Sequence, residues 1–243
     1  MEQVTALIKT FLRDGYLFNC VASLKQQAPK IQIIVADDGH TSDEKEQRLL
    51  KMGVSQYIRL PFNSAPIARG RNVMVDAAKT PYVLIGDDDF TYTAATKLGD
   101  MWSMMGIVDI VGGAVKENEV VLHYEGRFAR ENSETIRMLA LDGKFYLHDK
   151  IPFKPADYVF NFFIAKTDVL RKVRWDEHLH ASYEHEDFFL SAQKAATKIA
   201  YCPNSVVLHR YGPPDTSEYQ KYRHSGDHSD KVIFEKKWGF RLI

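Results

Sequence analysis

Cysteine is scarce in this chain. Of 243 residues only Cys20 and Cys202 are cysteines, and no CxxC pair occurs, which argues against a disulfide framework and a zinc knuckle. Charge of one sign is not in excess either. The 32 Lys and Arg balance the 32 Asp and Glu, so no global field draws the chain to nucleic acid or membrane, and recognition must rest on local charge. No apolar run reaches the roughly 18 residues that span a bilayer, and at most a peripheral membrane contact is expected. The N-terminal stretch MEQVTALIKTFLRDG enters a strand pattern at once and lacks a signal-peptide layout; a cytoplasmic protein is expected. Repeats, low-complexity tracts and clear linkers are also lacking, so one domain is expected. What remains is a globular composition, 45% hydrophobic and 12% aromatic, with enough chain for one sizeable core.

The first half alternates strand-like and helix-like stretches. Strands are expected at Val4–Lys9, Ile31–Ala36, Gln56–Leu60, Tyr82–Ile85 and Ile107–Val111, with helices near 16–27, 43–52, 69–78 and 94–105. This rhythm predicts βαβ units and a mainly parallel sheet flanked by helices. The second half is less regular: loops and extended segments lead to a strand near 158–165, a helix over 184–196 and short strands ending at His209.

YVLIGDDDFTY, residues 82–92, places three carboxylates directly after an apolar β-type run. Adjacent carboxylates repel and resist burial unless something positive compensates them. Alternate residues of an extended segment point the same way, so Asp87 and Asp89 can converge, and two carboxylates there suit a hard divalent cation. A solvated acidic turn is the other reading of these residues alone. Asp37 and Asp38 also follow a strand pattern, and ligands of parallel sheets bind beyond the carboxyl ends of the strands. Two acidic clusters thus share one expected rim, although Asp37–Asp38–Gly39 is also ordinary turn chemistry.

The order VTALIKTFLR, IIVADDG, ARGRNVMVDAAKTPYVLIGDDDF, DIVGGAVKE, NFFIAKTD, HEDFFL and VVLHR resembles GT-A glycosyltransferases of the family 2 type. Among them it is most similar to the β-1,4-N-acetylgalactosaminyltransferases that include the ganglioside-synthesising enzymes. The resemblance runs nearly end to end. It implies a Rossmann-like GT-A domain over 1–243, with a nucleotide-binding half (1–115) and an acceptor and catalytic half (116–243). It also implies inverting transfer of a sugar, N-acetylgalactosamine as first choice, from a UDP-sugar to a saccharide or glycolipid acceptor. By the same resemblance Thr10, Arg13, Asp37, Asp38, Arg71, Asn72, Asp87 and Asp88 border the nucleotide. Asp87, Asp89 and His209 form the metal site, and Asp187 is the catalytic base. The ganglioside-type enzymes carry HLEFFL where this chain has HEDFFL, which leaves the choice between Glu186 and Asp187 open.

A cation bridging the phosphates would stabilise the leaving group. Carboxylates alone suit Mg²⁺, and an imidazole from His209 turns the expectation to Mn²⁺. The acceptor hydroxyl needs a base. Side chains of adjacent helical residues stand about 100° apart, so Glu186 and Asp187 cannot both address one proton; the other could bind a sugar hydroxyl. Gly112–Gly113 would let backbone approach the donor sugar or form a tight turn. Asn161 would contact donor or acceptor. Trp102 with Met101, Met104 and Met105 reads as a packed helix face, and Arg223, His224 and His228 as a lid or a solvated tail. DDDFT also fits the phosphatase pattern DxDxT, but it sits on about the fourth strand where that signature follows the first. A nucleotidyltransferase would want a Gly- and Arg-rich loop that KTFLRDGYL does not supply. A non-catalytic nucleotide- or sugar-binding protein on the same fold is the third class.

Overall fold

A computed structural model describes residues 1–64, 66–180, 182–209, 217–223 and 229–243. The alternating half consists of β1 (Val4–Thr10), α1 (Asp14–Gln27), β2 (Gln32–Asp37), α2 (Asp43–Lys51), β3 (Gln56–Arg59), α3 (Ile67–Ala77) and β4 (Tyr82–Asp87). Then come β5 (Phe90–Thr91), α4 (Leu98–Ser103), β6 (Ile110–Glu117), β7 (Val120–Leu122), β8 (Gly126–Asn132), β9 (Thr135–Ala140), β10 (Tyr146–His148) and β11 (Ile151–Ala156). The chain closes with β12 (Phe163–Lys166), α5 (Thr167–Val173), α6 (Glu184–Lys194), β13 (Ile199–His209), α7 (Ser217–Arg223), α8 (Ser229–Trp238) and β14 (Arg241–Leu242).

Eleven strands share one sheet, in the order β10-β11-β13-β6-β12-β4-β1-β2-β3, with β5 on β13 and β7 on β6. β1 runs parallel to β2 and β4, β2 to β3, and β6 to β13, whereas β12 is antiparallel to both β4 and β6. From β3 to β13, every strand but β12 therefore points the same way. This is the expected single α/β domain with a mainly parallel sheet. The shared direction sets up the site, because the carboxyl ends of β1, β2, β4, β6 and β13 bring Thr10, Asp37, Asp87, Glu117 and His209 to one rim. Strands from before and after residue 115 interleave, so the two expected halves share one sheet. A separate three-stranded sheet, β14-β9-β8, belongs to the less regular part.

The period-2 alternation of strands puts a core on each face. Val4, Ala6 and Ile8 of β1 pack with Leu17, Val21 and Leu24 of α1, while Leu7 joins Met74 and Val75 of α3 on the opposite face. Both cysteines are buried and free.

Three local expectations are corrected. The strand expected at 107–111 starts at Ile110 and continues to Glu117. The strand expected at 158–165 is continuous over Phe163–Lys166, with Tyr158 forming an isolated bridge to Gly126, because Val159 and Phe162 lie across β6 instead. Gly112 and Gly113 make room for them: a Cβ on Gly112 would collide with the Val159 side chain, and one on Gly113 with the Phe162 ring and the Ser205 carbonyl oxygen, 2.7 Å away. These glycines are packing positions inside a strand and not a turn. The helix expected over 94–105 is confined to Leu98–Ser103 and a 3-10 turn. Met101, Met104 and Met105 are buried there as expected, but Trp102 is 40% exposed, its ring set edge-on to Tyr82.

This packing makes a prediction. Gly113→Ala should overpack the face between β6 and the 159–162 segment and destabilise the fold by about 1–3 kcal/mol, read as a lowered thermal midpoint, whereas Gly99→Ala, where an added Cβ meets nothing within 4 Å, should not lower it.

Candidate active site

Each carboxylate of the triplet has a cationic partner, and Arg13 serves two of them. Asp88 is buried; the Thr10 hydroxyl donates to its Oδ2 at 2.6 Å and the Arg13 guanidinium to its Oδ1. Arg13 also donates to Asp89 Oδ2 at 2.8 Å, and Arg71 reaches Asp87 Oδ1 at 3.1 Å. Burial pushes the Asp88 carboxyl up to about 6 despite Arg13. Against the cost of burial, the His209 hydrogen bond and the Arg13 charge hold Asp89 below the usual carboxylate range. His209 bridges two acids, with Nε2 3.2 Å from Asp89 and Nδ1 3.0 Å from Glu117. The hydrogen bond to Asp89, then that to Glu117, pushes its imidazole up to about 9.

The neighbouring pair divides its work. Asp37 is fully buried and accepts from Tyr57 Oη at 2.6 Å, the Gly39 N–H at 2.8 Å and Lys45 Nζ at 2.5 Å. It anchors the turn after β2. Asp38 pairs with Lys9 at the end of β1. Asn72 is likewise turned inward. Its amide donates to the Trp175 carbonyl and to Glu177, both at 2.9 Å, and accepts from the Trp175 N–H at 3.1 Å. It clamps α3 to the segment after α5, so it does not face the rim.

Helix α6 is preceded by Tyr183, whose φ of 62° is left-handed and whose ring packs 5.0 Å from Phe234. A non-glycine residue in this region costs about 1–3 kcal/mol and is kept only where its surroundings hold it. The first turn then distributes four side chains. Glu184 approaches Arg71 at 3.9 Å, and burial raises its carboxyl above the ordinary range. The His185 ring contacts Val159 and Asn161. Glu186, partly exposed, accepts from Tyr124 Oη at 2.5 Å. Asp187, expected at the reaction centre, is fully buried, and its carboxylate receives Lys237 Nζ and Trp238 Nε1, each at 2.8 Å. The helical pitch turns it away from the rim and onto α8. In this arrangement the Asp187 carboxylate does not line the cavity, and Glu186 is the less covered acid of the pair.

A cavity of about 280 Å³ opens at this rim. Asp87 and His209 contribute to its wall, as do Phe90, Val115, Leu122 and Phe160, with Tyr124, Asn161 and His185 completing it. Gly112 and Gly113 are not part of the wall. Arg223's side chain, His224 and His228, the lid candidates, lie outside the described residues. Among the described residues no three His, Cys, Asp or Glu side chains already stand in a metal-binding cluster. Even so, Asp89 Oδ1 is buried and has no hydrogen-bond partner. A buried carboxylate oxygen left unmatched beside an imidazole is a donor set that fits a divalent cation.

The model for glycosyl transferase family 2 matches residues 5–174. The chain belongs to glycosyltransferase family 2. The chain is 33% identical over 238 residues to rat beta-1,4 N-acetylgalactosaminyltransferase 1 and 31% identical over 238 residues to the human enzyme of that name. Each match covers 92% of this chain and 43% of the relative, so the chain spans less than half the length of these relatives. The GT-A fold is shared with GalNAc-T7, solved with UDP, GalNAc and Mn²⁺, at a TM-score of 0.68 and 14% identity over 98% of this chain and 55% of that one. It is shared also with residues 1–349 of S. aureus TarS in complex with UDP-GlcNAc, at 0.61 and 17% over 98% and 73%.

Several wall and rim residues are not apparent from the sequence. Glu117 ends the quoted DIVGGAVKE and His185 sits in HEDFFL, yet neither carries a signal until the strand ends converge. Tyr124 lies in the irregular stretch after residue 118, where no periodicity marks it.

One pH effect follows. Burial first, and then the Arg71 charge, lower the His185 imidazole from 6.5 to about 3. Between these values the unfolded chain binds the proton that the folded one refuses, so stability is full above about pH 6.5 and is lost as pH falls towards 3, by up to about 1.4 kcal/mol per pH unit. Urea unfolding of wild type beside His185→Gln should show this extra acid sensitivity in the wild type only.

Proposed function

We propose that this glycosyltransferase is inverting and divalent-cation-dependent, and that it moves a sugar from a UDP-sugar to a hydroxyl of a saccharide or glycolipid acceptor. N-Acetylgalactosamine is the first-choice sugar. The observation that carries the reading is the convergence on one cavity of Asp87 and His209 from one side and Tyr124, the partner of Glu186, from the other. The N-acetylgalactosaminyltransferase relatives and the neighbours solved with UDP and Mn²⁺ or with UDP-GlcNAc support the donor class.

Asp87, Asp89 and His209 are the residues that would hold the cation, Mn²⁺ in preference to Mg²⁺; when bound, it supplies positive charge that stabilises the departing diphosphate. Thr10, Arg13, Asp38 and Arg71 border the nucleotide, with Asp88 fixing Thr10 and Arg13 in place. Glu186 is the base. It takes the proton of the acceptor hydroxyl as that oxygen bonds to the anomeric carbon, while the bond from the carbon to the diphosphate oxygen breaks on the opposite face. The configuration inverts. Tyr124 holds the Glu186 carboxylate at the cavity edge. Asp187 ties the first turn of α6 to α8 and keeps Glu186 aimed.

The two carboxylates should separate cleanly on substitution. Glu186→Gln is expected to lower kcat by about 10²–10⁴-fold with the thermal midpoint and UDP affinity unchanged. Asp187→Asn weakens a charged, buried hydrogen-bond pair and is expected to lower stability by about 2 kcal/mol, with a smaller effect on kcat. The reverse split would assign the base to Asp187. Wild-type protein that binds UDP but turns over no UDP-sugar would favour a non-catalytic binding protein.

A further inference from the structure

His185 sits beside the cavity and forms two short contacts. Its Nε2 lies 2.7 Å from the Val159 carbonyl oxygen and its Nδ1 2.7 Å from Asn161 Oδ1. A carbonyl oxygen only accepts, so Nε2 carries a proton. The ring is buried between Tyr124 and Phe189, at 4.9 Å from each, and Arg71 is a nearby positive charge. Both conditions disfavour a second proton. With one proton, Nδ1 is a bare lone pair, and Oδ1 at 2.7 Å would set two lone pairs against each other. Half a turn of the amide about its Cβ–Cγ bond replaces that clash with an Nδ2–H···Nδ1 hydrogen bond, because amide oxygen and nitrogen occupy nearly the same volume. Asn161 lines the cavity, and after that turn its carbonyl oxygen faces away from the imidazole.

We propose that His185 is a positioning residue: it holds Asn161 with Nδ2 on the imidazole and Oδ1 toward the cavity, where Oδ1 accepts the N–H of a 2-acetamido group on the donor sugar. The assignment rests on the reading that this cavity takes the sugar of a UDP-sugar. An acetamido group brings one N–H donor and one methyl, and the wall offers both an acceptor, Asn161, and apolar contacts from Val115, Leu122 and Phe160. A donor with a hydroxyl at that carbon leaves the apolar part of the wall unfilled.

Two measurements test this together. In ¹⁵N NMR spectra of the wild-type protein at pH 7, His185 should show a protonated Nε2 and an unprotonated Nδ1. In calorimetric titrations with Mn²⁺, wild type should bind UDP-GalNAc or UDP-GlcNAc at least tenfold more tightly than UDP-Gal or UDP-Glc. Asn161→Leu should lose that preference while binding UDP alone as before. His185→Phe should lose it too, and His185→Gln should restore it, since Gln can donate to Val159 and accept from Asn161. A protonated Nδ1 would overturn the positioning role by itself. Retention of the acetamido preference in both Asn161→Leu and His185→Phe would overturn the ligand assigned to Asn161. Failure of the wild type to bind UDP would sink the donor reading, and with it that ligand, while the NMR result still decides the pairing of His185 with Asn161.

Discussion

The site depends on Arg13 standing between Asp88 and Asp89. Three consecutive carboxylates at the end of a buried strand would otherwise repel one another and drive the segment outward. Arg13 comes from the turn after β1, Arg71 from α3 and His209 from the end of β13, so the compensation draws three separate elements onto one strand end. The parallel order of the sheet makes that possible, because it delivers those termini to a common rim. The compensation stops short of completion. Asp89 keeps one buried oxygen unmatched, and that is the place where an added positive charge has most to gain.

Helix α6 performs the complementary task on the other side of the cavity. Its first turn carries Glu184, Glu186 and Asp187, and the pitch sends them to Arg71, Tyr124 and the Lys237–Trp238 pair respectively. One carboxylate stabilises the rim, one is left partly exposed against Tyr124 of the cavity wall, and one fastens the helix to the C-terminal α8. The left-handed Tyr183 sets the starting angle of the helix, and its contact with Phe234 ties that angle to the same α8. Acidic residues in a first turn also suit the helix dipole, so local helix physics and the division of roles agree.

Much of the fold can be read from the chain because it rests on local rules. The period-2 and 3.6 patterns of residues 4–105 mark strands and helices, and the acids after β2 and β4 mark the rim. What could not be read depends on long-range packing. Gly112 and Gly113 look like turn residues until Val159 and Phe162 are laid across them. Asn72 belongs to a nucleotide-like GRN stretch, but its partners Trp175 and Glu177 lie more than a hundred residues away. Asp187 and Glu186 are adjacent letters, and only the position of α8 shows which is covered. Tyr124 has no pattern at all around it. The acids of the rim are legible by contrast, since carboxylates directly after a strand pattern mark it before any fold is known, whereas His209 is marked as their partner by the family resemblance alone.

The most direct test of the account is thermal unfolding with UDP, with and without Mn²⁺, on the wild type and on Asp89→Ala. A ligand at 100 times its Kd adds about 2.7 kcal/mol of stability. The account predicts a rise of several degrees that requires UDP and Mn²⁺ together and disappears in Asp89→Ala. An equal rise in Asp89→Ala, or none in the wild type at saturating UDP and Mn²⁺, would contradict the claim that the acid triplet is completed by a cation and a nucleoside diphosphate.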